Sequence, residues 1–146
     1  KNILKRSKLN FVINQLSVQK NLKYKKNIDF LLYYRKHKNK KSFFPYDFVK
    51  KIALTKYKIF VVGDKLNIKN IKNLGFLKNT DIKKLQLRSK FTLASGENIY
   101  SFFTIECLSN GVTILIDKKY KKQIKFFKNK FLTIDFIKQN EFSSFK

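Results

Sequence analysis

Apolar positions along the chain fall into short blocks of two alternating kinds, near-continuous runs and runs with helical spacing. The run "IDFLLYY" at 28–34 has the look of a strand buried on both faces. A basic loop follows, and then Phe44, Phe48 and Ile52, with Val49 and Ala53, recur at helical spacing behind Pro45, which a first helical turn tolerates. The unit repeats. "KIFVVGDK" predicts a strand at 59–62 closed by Gly63, and "IKNLGFL" a short strand at 71–74. Residues 80–87 predict a short helix capped by Asn79 or Thr80, with Asp81 in its first turn. "SKFTLAS" then predicts a strand, "NIYSFFTIECLSNG" a helix stopped at Asn110-Gly111, and "VTILID" a strand. The run "KKYKKQIKFFKNK" at 118–130 predicts a basic amphipathic helix, "FLTID" a last strand, and the tail a fraying helix. Upstream only Phe11-Val12-Ile13 stands out, so residues 1–27 read as one strand and a linker leading into a single domain at 28–146. Strands alternating with helices predict an α/β fold, a Rossmann-like three-layer domain with a parallel sheet and right-handed crossovers.

Composition narrows the classes. The chain has 146 residues, 43% of them hydrophobic and 16% aromatic, enough to bury a core and offset the entropy of ordering one domain. Its formal charge of +25, from 34 Lys and Arg against 9 Asp and Glu, invites a nucleic-acid reading. Only Arg6, Arg35 and Arg88 are arginines, however, and the wealth of Asn, Ile, Phe and Tyr matches AT-rich codon usage, which scatters lysine over every solvated face. Base and phosphate forks favour the planar guanidinium. Nucleic acid is therefore the alternative partner, and an anionic membrane surface is a second candidate from charge alone. The single Cys107 excludes an internal disulfide, and with His37 it cannot build a zinc site. No apolar run approaches the roughly 20 residues of a membrane span, and a cytoplasmic setting is the expectation. The chain lacks Met and begins at Lys1 inside an ordinary-looking stretch, as a fragment or later half of something longer would.

In parallel sheets ligands bind outside the carboxyl ends of the strands. The loops expected there are 35–42, 63–67 and 95–100, and the last opens "SGENIYSFFTIECLSNG", which holds two of the scarce carboxylates. That loop turns through Gly96 and is expected to deliver free backbone N–H groups of a helix start near Ile99, Tyr100 and Ser101, a setting that attracts phosphate. Glu106, about two turns further on, is placed to accept from ribose hydroxyls, and Glu97 to meet what lies beyond a diphosphate. Taken alone, Glu97 reads as well as a complement to the helix dipole and Glu106 as a solvated or lysine-paired residue. His37 reads as an exposed loop side chain, Cys107 as a small buried hydrophobe, and Phe102-Phe103 as core.

The succession "NFVINQLSVQKN", "IDFLLYYRKHKNK", "KIFVVGDK", "IKNLGFLKNTDIKKLQLRSKFTLASGEN" and "FFTIECLSNGVTIL" resembles the C-terminal, donor-binding domain of B-type-fold glycosyltransferases, in particular the group-1, family-four-like retaining enzymes. The likeness covers nearly the whole chain. It implies a domain that binds a nucleotide-diphosphate sugar for transfer to a glycan or lipid-linked saccharide, with no metal and no cofactor. It further implies Arg35 as the diphosphate-binding arginine, Lys40 (or Lys38 or Lys41) as its partner, and Glu97 at the donor sugar. Gly63, Ser95, Gly96, Ile99, Tyr100 and Ser101 would line the donor, with Glu106 at the ribose. The family's acceptor domain is not expected within these residues. Three departures stand out: eight residues separate the two glutamates where the family has seven, Tyr34 stands for the glycine before the arginine, and Thr113 for the proline after Gly-Val. A divergent member or a non-catalytic Rossmann-like relative fits these departures.

Overall fold

A computed structural model describes residues 24–37 and 43–139. The expected strand at 11–13, Lys38, Lys40, Lys41 and the end of the tail lie outside the described residues. Six strands form one all-parallel sheet in the order β3-β2-β1-β4-β5-β6. They are β1 (Ile28–Tyr34), β2 (Ile59–Gly63), β3 (Lys72–Gly75), β4 (Ser89–Leu93), β5 (Thr113–Asp117) and β6 (Phe131–Ile134). Three α-helices, α1 (Tyr46–Ala53), α2 (Asn79–Leu87) and α3 (Phe102–Ser109), connect them. The Rossmann-like α/β architecture expected from the sequence is the one observed.

The central position of β1 follows from its sequence. Phe30, Leu31 and Leu32 are buried because both faces of the strand are covered. On one face Phe30, Leu32 and Tyr34 pack with Phe48, Val49, Ile52 and Ala53 of α1, and Phe48 stacks on Phe136 at 4.2 Å between ring centroids. On the sheet's other face Tyr33 of β1 stacks on Phe103 of α3 at 5.3 Å between centroids, and Cys107 of α3 packs with Ile114 and Ile116 of β5 and with Ile99, Val112 and Ile124. Burial of this kind contributes roughly 1.5–3 kcal/mol per large apolar side chain. Pairing between β1 and β4 sets Ile28 opposite Ser89 and Phe30 opposite Phe91, and on the other flank Phe30 stands opposite Ile59.

Residues 118–130 do not form the expected amphipathic helix. Two 3-10 turns occupy the segment, Lys118–Gln123 and Lys128–Lys130, the first capped by the Asp117 side chain accepting from the Lys119 N–H. A longer helix would set lysines at like-charged i,i+3 and i,i+4 spacing, and only Ile124 of the segment is buried. Too little apolar face exists to offset that repulsion.

Candidate functional site

The strand order reverses between β1 and β4. Chain segments leaving these two strands diverge, and the crevice outside their carboxyl ends is where such sheets take ligands. β1 ends at Tyr34 and hands the chain to Arg35. The Arg35 guanidinium lies over the Phe76 ring, 5.4 Å from its centroid, donates to the Tyr33 hydroxyl at 3.4 Å and stands 3.9 Å from the Asp64 carboxylate. Its side chain is about half exposed (48%), and a pair so long and so wet is worth only about 0–1 kcal/mol, so an incoming anion can displace it. Asp64 is held in place: its carboxylate accepts from the Lys36 N–H at 2.7 Å, and its own N–H donates to the Tyr34 carbonyl at 2.9 Å.

Gly63, at the end of β2, has φ +98, and a Cβ there would strike the Tyr34 carbonyl oxygen. Its glycine is thus required by the close approach of β2 to β1.

Beyond β4 the chain makes a tight turn. Ser95 bridges Asn98, the Ser95 hydroxyl accepts from the Glu97 N–H at 3.3 Å, and Glu97 sits exposed at the tip. The helix that follows begins at Phe102, three residues later than the expected start. Ile99 is buried in the core cluster, Tyr100 directs its hydroxyl to the backbone of Lys125 and Phe126, and Ser101 is the N-cap, accepting from the Thr104 N–H at 3.3 Å. Those three residues therefore do not supply helix-start amides; that position belongs to Phe102 and Phe103. The Tyr120 ring lies against Gly96, where a Cβ would collide with it. Beside it opens a cavity of about 420 Å³, lined among others by Ala94, Gly96, Asp117, Tyr120, Tyr46 and Phe136.

Glu106 looks elsewhere. On α3 it faces α2, accepting from the Gln86 amide at 3.3 Å, while the Gln86 oxygen accepts from Asn110 at 2.8 Å. Gln86 is 1% exposed. A second cavity, about 250 Å³, lies between these helices and is lined by Glu106, Gln86, Lys83, Ser109 and others. The neighbouring Cys107 is fully buried, and burial first, then the Glu106 charge, pushes its thiol well above the usual range. Lys26 donates to the Asn110 and Gly111 carbonyls at the end of α3, and burial lowers its pKa.

Arg35, Gly63, Ser95, Gly96 and Glu97 thus lie at the same carboxyl edge, whereas Glu106 faces the groove between α2 and α3. Neither of the two cavities joins Arg35 to Glu97 or Glu106. Asp64 stands directly after Gly63, and that adjacency to a strand end is its one sequence signal; Tyr120 and Gln86 carry none, because their roles arise from contacts between distant segments. Among the described residues no group of three or more His, Cys, Asp or Glu could hold a metal ion, and no helix is long and apolar enough to cross a membrane. Comparison with family models, curated proteins and solved structures returns no match. Fold and edge define a doubly wound α/β domain with a polar, partly aromatic switch-point crevice.

Proposed function

We propose that the chain is the donor-binding domain of a glycosyltransferase, taking a nucleotide-diphosphate sugar at the β1/β4 crevice for transfer to a glycan or lipid-linked acceptor. The observation that carries the reading is the sheet reversal between β1 and β4, which sends the Arg35 loop and the Ser95–Asn98 turn from one edge. The collinear order of motifs across the chain supports it. In this reading Arg35 leaves its weak pair with Asp64 to receive the diphosphate, and its fixed positive charge stabilises the negative charge that grows on the leaving group as the glycosidic bond breaks. Lys40 would share that charge. The Phe76 ring lies under the guanidinium, and a planar guanidinium suits bidentate contact with a phosphate. Glu97, exposed at its turn, is available to the sugar; a role for Glu106 at the ribose requires its carboxylate to be shared with Gln86. The work is electrostatic and asks no covalent step of this domain, and the setting is cytoplasmic.

Titration calorimetry with UDP, GDP and ADP and their sugars, on the wild type and Arg35→Ala, tests the reading. Binding of one diphosphate, weakened at least tenfold, about 1.4 kcal/mol, by the substitution is the expected result. Absence of binding by every nucleotide, with tight salt-sensitive binding to DNA or RNA instead, would transfer the function to the basic surface.

A further inference from the structure

The loop joining β5 to β6 combines three features that its core-facing residues do not need. Between Lys118 and Lys130 it carries seven lysines and no carboxylate, and all seven lysines are exposed. Two adjacent phenylalanines, Phe126 and Phe127, are 45% and 44% exposed at its outer end. Phe127 has φ +53, left-handed backbone that is an outlier for a bulky side chain. Glycine or asparagine would relieve that strain at once; phenylalanine keeps it.

The strained turn is also held in place. The Tyr100 hydroxyl accepts from the N–H groups of Lys125 at 2.9 Å and Phe126 at 2.7 Å and donates to the Phe126 carbonyl at 2.9 Å. Ile124, buried beneath, anchors the loop to the core. Three hydrogen bonds to one hydroxyl and one buried side chain thus fix a turn whose Phe126 ring leans edge-on against the Tyr100 ring, 5.9 Å between centroids, while both phenylalanines stay nearly half exposed.

We infer that this loop docks the protein on an anionic lipid surface, the two phenylalanine rings entering the interfacial layer and the lysines meeting the phosphate headgroups. Charge complementarity selects an anionic partner, and the adjacent exposed rings at one turn suit an interface that buries apolar side chains beside cations. Single-stranded nucleic acid fits less well: it is held by rings that stack successive bases along a groove, commonly with arginine, and this loop has no arginine. The proposal does not rest on donor binding and stands or falls without it.

A protein of charge +25 adheres to any anionic vesicle to some degree, so the test holds charge constant. Phe127→Asn removes a ring and suits the left-handed backbone, so folding is preserved. Leu54→Ser removes an equally conspicuous apolar side chain, 83% exposed, outside the loop. Co-sedimentation with phosphatidylcholine vesicles, with and without phosphatidylglycerol, is measured for each, in parallel with binding to a random single-stranded oligonucleotide. The expected result is partition onto the anionic vesicles, weakened about fivefold or more by Phe127→Asn and unchanged by Leu54→Ser. Equal partition of Phe127→Asn and wild type would overturn the docking role and leave only diffuse charge. A fall in oligonucleotide binding larger than the fall in vesicle binding would overturn the choice of lipid.

Discussion

Gly63→Ala isolates the contact on which the candidate edge is built. The residue sits at the end of β2 opposite Tyr34, with φ +98 and a Cβ direction aimed at the Tyr34 carbonyl oxygen. An L residue in left-handed backbone costs about 1–2 kcal/mol, and a methyl forced onto a ladder carbonyl adds roughly 1–3 kcal/mol, because backbone cannot step aside as a side chain can. Lower entropy of the unfolded chain returns about 0.4–1 kcal/mol. The net loss is about 2–4 kcal/mol, a large share of the 5–15 kcal/mol typical of a domain. Gly111→Ala supplies the control: its φ is +70, but nothing lies within 4 Å of the added Cβ, so only the backbone strain less the entropy return remains, about 0.6–1 kcal/mol. Urea unfolding followed by circular dichroism compares the two at equal slope. Unfolding free energies of the two variants that agree to within about 0.5 kcal/mol would refute the close-approach explanation. The Gly63 variant should also loosen the Asp64 N–H to Tyr34 bond and so blur the setting of Arg35.

Gln86→Ala should cost about 1–3 kcal/mol in the same assay, since a buried amide bridging Glu106 and Asn110 is removed, while Glu106→Gln keeps an acceptor for Gln86 and should cost less. Cys107, fully buried and held as the thiol, should react with iodoacetamide at neutral pH only as fast as the protein opens; a rate equal to that of a free thiol would contradict the packing of α3 on β5. Asp135 accepts from the Lys138 and Ile137 N–H groups, chiefly the former, which holds its carboxyl below the usual range. Its folded pKa is depressed, so its contribution is present above the unfolded value near 4 and is lost as pH falls through the folded one. Asp135→Asn should therefore lower the urea midpoint at neutral pH and flatten its decline in acid; an unchanged acid limb would count against the capping role.

Periodicity revealed the elements whose burial is simple. β1 was legible because IDFLLYY is apolar on both faces, and α1 because Phe48, Val49, Ile52 and Ala53 mark one stripe. The start of α3 was displaced because Ile99 and Tyr100, apolar and aromatic, extend the helical pattern, yet Ile99 fills the core and Tyr100 is drawn to the β5–β6 loop. The helix expected at 118–130 failed because a pattern of lysines and aromatics says nothing of what covers it, and here only Ile124 finds cover. At the site, the strand-end rule located the Arg35 and Ser95 loops. It could not foresee that Glu106 turns toward Gln86, because the packing of α2 against α3 depends on residues 20 apart in the chain. Tyr120 over Gly96 was hidden for the same reason.

The most direct measurement of the donor-binding claim is amide chemical-shift mapping of the isotope-labelled protein titrated with UDP, GDP and ADP in turn. One diphosphate is expected to move the signals of Arg35, Gly63, Asp64, Ser95 and Gly96 together, with saturation at a single affinity. Shifts confined to residues 118–130, or to the groove between α2 and α3, would contradict it.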